Sequence, residues 1–360
     1  MSHLILVINL GSTTTKLALY RDLSCTYIKT YSHDKGIIKL DQKAQEEIRY
    51  QIIIDFLNES NTNASDIDFV SARGGLLKPI EGGTYLINDD MLLDLNTRRY
   101  GEHASNLSGI LAHSFAKNHG IKAVITDPVV VDELCDEARL TGIKDVNRKS
   151  IFHALNQKAV ARKFADSIDQ TYEDLRLIVI HMGGGITVGA HLGGKVIDVN
   201  NGLKGDGPMS PTRAGSIPVD ALLDYLEDTN ISHADLISLV SKRSGLLSHL
   251  DSADVEEIVS SIKEGDRDKE QVVSAMVFQI AKEIGAKAAV LKGQVDQIIF
   301  TGGLSYSDYI IDSITEYVDF IAPITVYAGE LEMDALAYGA YSVLEDNRLL
   351  KSYIREEEHD

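Results

Sequence analysis

Twice, half a chain apart, an aliphatic run enters a turn of glycine and hydroxyl residues and leaves it as a second extended run. The first copy is residues 4–8, the turn Asn9-Leu10-Gly11-Ser12-Thr13-Thr14-Thr15, and residues 16–20. The second is residues 177–180, then His181-Met182-Gly183-Gly184-Gly185-Ile186-Thr187-Val188-Gly189, with a further turn at Gly193-Gly194 before residues 196–199. When Gly11 is set over Gly183, Thr15 falls on Thr187 and Ala18 on Ala190. A repeat at half the chain is too long for a solenoid period and indicates a duplicated domain.

Alternating elements follow each hairpin. Helical periodicity runs through residues 42–58 and 105–118, and a strand follows at 122–126. In the second half a long helix is expected at 270–292, a strand at 297–300 and a helix at 332–344. Such alternation predicts α/β domains, and 360 residues suffice for two of them. No Pro-rich or Ser-rich linker marks the boundary, which the repeat places near residues 149–151. The charged end, residues 347–360, reads as a solvated, frayed tail.

The formal charge of −19 repels nucleic acid and anionic lipid, so neither is an expected partner, and any bound anion must be held by local groups. Cys25 and Cys135 lack the spacing of a zinc site or disulfide framework, which fits a reducing, cytoplasmic setting. The apolar run at residues 4–10 is too short to span a bilayer and carries no cleavage pattern, so it reads as a buried strand.

A glycine and hydroxyl tip lets backbone N–H groups and Ser or Thr oxygens approach phosphate closely, although such a tip alone is commonly just a turn. Its duplication favours a phosphate clamp, while the GxxxxGK[ST] and GxGxxG fingerprints are absent. Thr301-Gly302-Gly303 follows the 297–300 strand, where open α/β sheets collect ligands, and suits the approach of an adenosine. Arg73 in Ala72-Arg73-Gly74-Gly75 and Arg213 in Pro211-Thr212-Arg213-Ala214-Gly215 sit on turns where planar guanidinium forks could neutralise a carboxylate and a phosphoryl group. Asp127 ends a strand before Pro128, and His153 opens a helix; a cap and a structural histidine are the plain alternatives. Glu330 and Glu332, just ahead of a helix, could hold hydrated magnesium or simply favour the helix N-terminus.

Seven motifs in order, Ile8 to Lys16, Arg73 to Pro79, Thr126-Asp127-Pro128-Val129, Phe152-His153-Ala154-Leu155-Asn156, His181 to Ile186, Phe300-Thr301-Gly302-Gly303 and Gly329-Glu330-Leu331-Glu332, closely resemble the butyrate kinase branch of the acetate kinase family. The resemblance runs from the first strand to the last helix. It implies an α/β duplicated, actin-like and sugar-kinase-like (ribonuclease H-like) ATPase fold of two domains with an interdomain cleft. The domains would be 1–150, with the C-terminal helix at about 334–360 packing back onto it, and 151–333. It further implies ATP/ADP and Mg2+ as cofactors, a short-chain carboxylate as acceptor, and a homo-oligomer.

By matching positions, Asn9, Gly11, Ser12, Thr14 and Lys16 would handle the outer phosphates, with Asn9 and Glu330 at the metal. Arg73 and Arg213 would bind the acyl carboxylate and the transferring phosphoryl, with Asp127 as the catalytic aspartate and His153 stabilising the phosphoryl group. Gly183, Gly184, Gly185, Thr187, Gly302 and Gly303 would line the nucleotide site. Gln157 stands where acetate kinase has a second histidine, and Gly184-Gly185-Ile186-Thr187 replaces its Asn-Gly-Ser-Ser, which points to the butyrate branch. Ala328, Met209 and Thr212 depart from that branch; the last two flank Arg213 and leave acyl-chain preference open. The first alternative is a branched-chain fatty acid (isobutyrate/isovalerate) kinase or an acetate/propionate kinase; a sugar kinase and an actin-like switch ATPase are the more distant rivals, and two turn arginines at the acceptor are harder to explain for a sugar hydroxyl.

Overall fold

The structure, a computed structural model, describes residues 2–101 and 103–356. The chain divides into two compact units, Met1–Val131 with Leu331–Asp360, and Asp132–Glu330.

In the first unit every residue of β1 (Leu4–Leu10) is buried, as a central strand covered on both faces requires. Antiparallel β2 (Thr14–Arg21) and β3 (Ser24–Ser32) follow it, and β3 alternates exposed and half-buried residues as an edge strand does. Parallel β4 (Phe69–Ala72) lies beside β1 and parallel β6 (Lys122–Thr126) beside β4, while β5 (Thr84–Leu86) pairs antiparallel with β6. Among the described residues β12 (Leu350–Ser352) completes a sheet of order β12-β5-β6-β4-β1-β2-β3.

In the second unit β7 (Arg176–Met182), β8 (Ile186–Leu192) and β9 (Lys195–Val199) form the antiparallel part, and β10 (Gln297–Gly302) and β11 (Ile324–Ala328) add in parallel. The order β11-β10-β7-β8-β9 repeats β6-β4-β1-β2-β3 strand for strand. The hairpin repeat in the sequence is therefore the visible part of a five-strand duplication.

Helix α1 (Gln42–Glu59) carries the first unit past its meander, and α2 (Ala104–His119) packs against β1, β4 and β6. His103 caps α2, its ring nitrogen accepting from Ser105 N, and Gly120 ends it at φ 70°. In the second unit α3 (Ala154–Ser167) lies on β7 and β10, and α4 (Arg267–Val290) on β7 and β8. Helix α5 (Glu332–Glu345) belongs to the first unit and packs against β1, β4 and β6, where Ser71 Oγ donates to Leu336 O at 2.7 Å.

The structure departs from the sequence reading in three places. The division falls at Val131/Asp132 and not near residue 150, because residues 132–150 are tied into the second unit. Cys135 N donates to Ile197 O, Lys158 pairs with Glu133 at 2.7 Å, and Arg148 pairs with Asp198 at 2.7 Å. The C-terminal helix ends at Glu345, and residues 347–356 are no frayed tail: β12 joins the sheet, the Tyr353 hydroxyl donates to buried Asp94 at 2.7 Å, and Arg355 Nε reaches the same carboxylate at 2.8 Å. Residues 357–360 of that segment lie outside the described residues. The first turn is also tighter than the repeat comparison draws it: the 4–10 run is a buried strand in full, so Asn9 and Leu10 belong to β1, paired with Lys16 and Thr15.

Candidate active site

The tip of the β1–β2 hairpin is closed by Gly11 N donating to Thr14 O, and a Cβ on Gly11 would meet Thr14 Oγ1 at 2.5 Å. Beneath it lies Arg49 of α1, 1% exposed, whose guanidinium donates to Gly11 O, Ser12 O, Thr14 O and Thr15 Oγ1 at 2.9–3.2 Å. Burial lowers the Arg49 pKa, and its Nε has no hydrogen-bond partner among the described residues. Thr15 Oγ1 also meets His33 Nε2 at 2.8 Å. With these carbonyls held by a buried cation, the tip is fixed from beneath. Ser12 is exposed, and Gly11, Thr14 and Lys16 are half-buried.

Asn9, Arg73 and Glu332 converge within this unit. Glu332 Oε2 accepts from Asn9 Nδ2 at 2.8 Å and from Arg73 Nη1 at 3.2 Å. Glu332 opens α5, which fixes its reach, whereas Glu330 lies in the other unit, half-exposed, with Oε1 3.8 Å from His181 Nε2. The carboxylate placed with Asn9 is therefore Glu332, not the Glu330 that motif matching selects. Arg73 follows β4, and Gly74 and Gly75 pack so closely that a Cβ would press on Pro128 at 2.7 Å and on the Asn106 backbone at 2.6 Å. Asp127 is wholly buried at φ 38°, an uncommon value outside glycine, and Oδ1 accepts from Gly83 N at 2.7 Å.

The second hairpin uses a different device to the same end. Gly184 O accepts from Ser210 Oγ at 2.6 Å and from Thr212 Oγ1 at 2.9 Å. Gly185 lies against the Arg213 guanidinium so tightly that a Cβ would overlap its Nη1 and Cζ. Burial lowers the Arg213 pKa, and its buried Nε has no hydrogen-bond partner among the described residues. Arg213 also lines a small pocket with Ile186, Gly202, Leu203, Lys204 and Pro208. Gly302, at φ 90°, runs against the Met182 backbone and exchanges two backbone hydrogen bonds with Gly329, so only glycine fits there. Gly303 has open space where a Cβ would stand.

His153 stands at the N-cap position of α3 without a side-chain capping bond, and stacks on His181, ring centroids 3.8 Å apart and planes 11° apart. Its Nδ1 lies 2.9 Å from Thr187 Oγ1, and Thr187 Oγ1 accepts from Gln157 Nε2 at 2.8 Å. Thr187 is wholly buried, so the structure gives its hydroxyl to His153 rather than to a nucleotide. Asn156 Nδ2 bonds His181 Nδ1 at 2.9 Å and Thr301 Oγ1 at 3.0 Å, and Thr301 donates to Gly329 O. The sequence reading missed Arg49, Tyr172 and His191 and met Gln157 only as a departure; no local pattern marks residues whose partners come from other elements.

Between them the units carry two hairpin tips of glycine and hydroxyl residues, two turn arginines, a carboxylate at a helix start and a buttressed histidine. The family model described as the acetokinase family matches residues 138–322, just over half of the chain. Acetate kinase from Porphyromonas gingivalis superposes with a TM-score of 0.79 at 20% identity, covering 95% of this chain and 100% of that one. A propionate kinase from Francisella tularensis gives 0.74 at 20% identity, over 94% and 98%. A candidate N-acetylmannosamine kinase from Listeria monocytogenes gives 0.52 at 14%, over 96% and 100%, so the fold is shared with sugar-kinase-like proteins. The family match makes the chain a phosphotransferase of the carboxylate kinase class. The chain belongs to the acetokinase family, whose members use ATP and Mg2+. Among the described residues no helix is long and apolar enough to cross a membrane.

Proposed function

We propose that the protein catalyses reversible, direct in-line transfer of the ATP γ-phosphoryl group to a short-chain carboxylate, with butyrate as the preferred acid. The observation that supports this best is Arg213. Lys158, Lys287 and Arg148 are each neutralised by a carboxylate, whereas the Arg213 guanidinium lies over a hairpin tip with no acidic partner among the described residues. A desolvated cation without a counter-ion is costly unless an anion completes it. The sequence resemblance at Gln157 and at residues 184–187 supports butyrate over acetate.

A carboxylate nucleophile is already ionised near neutral pH, so the chemistry needs positioning and charge neutralisation more than a strong base. Arg73 and Arg213 offset the repulsion between two anions, and His153 donates to the transferring group. The two tips would meet phosphate oxygens through backbone N–H groups and hydroxyls, the first tip held in shape by Arg49 and the second by Ser210 with Thr212. Asp127, fixed by Gly83, is the remaining catalytic group carried over from the family. One carboxylate and one amide suit hydrated magnesium, which takes one or two protein oxygens beside substrate phosphates. Asn9 and Glu332 would hold it, and it would supply charge neutralisation on the phosphates. A homo-oligomer belongs to the same proposal.

The test is acyl phosphate formation, trapped with hydroxylamine, from MgATP and an acid series from acetate to valerate plus isobutyrate. A maximum at butyrate, lost in Arg213→Ala, is the expected result. Phosphorylation of a sugar with no turnover of any acid would overturn the reading.

A further inference from the structure

Behind His153 lies a buried row of polar side chains whose proton directions can be worked out. Gln157 Nε2 is 3.1 Å from Thr187 O, and a carbonyl only accepts, so the amide nitrogen faces it. Gln157 Oε1 must then face His191 Nε2, 3.0 Å away, and this contact requires a hydrogen on Nε2. His191 is wholly buried, and burial together with Lys158 and Arg162 pushes its pKa well below the usual value. The ring is neutral, its Nδ1 is bare, and it accepts from the Tyr172 hydroxyl at 2.7 Å. At the other end Gln157 Nε2 donates to Thr187 Oγ1, whose own hydrogen has one acceptor among the described residues, His153 Nδ1.

We propose that Tyr172, His191, Gln157 and Thr187 form a one-way hydrogen-bond chain that holds the proton of His153 on Nε2, making the ring a neutral donor. The four are positioning residues. The opposite tautomer would turn a lone pair toward an approaching anion, so the chain matters where preorganised donors stabilise developing charge. That consequence rests on the reading of His153 as facing the phosphoryl group; the chain itself does not.

The experiment is 15N NMR of imidazole-labelled, ligand-free protein, with the His153 signals assigned through His153→Gln. Wild type should show His153 as the Nε2–H tautomer. Thr187→Val keeps the side-chain shape without the hydroxyl and should give a tautomer mixture, while Thr187→Ser keeps the wild-type state. With the best acid, Thr187→Val should lower kcat about tenfold or more with KM little changed, and Thr187→Ser should restore it. An Nδ1–H ring in wild type overturns the proposal, as does a Thr187→Val protein with unchanged tautomer and kcat. If Thr187→Val does not fold, the wild-type spectrum and Gln157→Met decide. If wild type phosphorylates no acid, the carboxylate reading fails and the spectra alone judge the chain.

Discussion

At the scale of single residues, Gly185 and Arg213 give a separation of function from stability. A methyl on Gly185 would overlap the guanidinium, which is the far end of a flexible side chain, so the fold has a way to yield. Gly185→Ala is therefore expected to change stability by about 1 kcal/mol or less. Its turnover of the best acid should fall about 100-fold, the size of effect seen when a positioned donor is lost. Thermal melts with hydroxamate assays check this, and unchanged turnover would mean that the guanidinium does not work from its place over Gly185. Glu332 teaches the complementary lesson about the sequence. Glu330 and Glu332 were both visible as acids ahead of a helix, but two residues of spacing decide which unit receives the side chain. Only the fold shows Asn9 and Arg73 meeting on Glu332.

At the scale of elements, the hairpin tips depend on what draws their carbonyls inward. Arg49 does this for the first tip with one planar fork, a geometry that a lysine ammonium cannot reproduce. Arg49→Leu leaves the carbonyls of Gly11, Ser12 and Thr14 without that donor and should cost about 2–4 kcal/mol of stability. The tip should loosen, with faster amide exchange at residues 11–15 and a KM for ATP raised about tenfold; loss of stability with KM unchanged would confine Arg49 to a structural role. Local periodicity revealed the elements that carry their own signal, with residues 122–126 matching β6 in full and 332–344 nearly all of α5. It could not reveal β5 and β12, three residues each, which exist as strands through pairing with distant segments, β5 with β6 and with β12.

At the scale of the whole molecule, the first unit is assembled from both ends of the chain, whereas the second is continuous. The second unit holds its own apolar cluster, in which Ile178 and Ile180 of β7 meet Ile280 and Ile284 of α4 and Ile298 and Phe300 of β10. A fragment of residues 132–330 should therefore be soluble and melt cooperatively. Residues 1–131 alone should not, because removing the return segment strips α5 from β1, β4 and β6 and leaves Ser71 Oγ without Leu336 O. It also takes Asp334 from the Tyr20 hydroxyl, and Tyr353 and Arg355 from buried Asp94. A buried carboxylate deprived of its partners costs about 3–5 kcal/mol, a large part of the stability of a domain of this size. Co-expression with residues 331–360 should restore a folded first unit, read by circular dichroism and thermal melting. A cooperative transition from residues 1–131 alone would show instead that the amino-terminal segment carries a sufficient core and that the return helix is an addition to it.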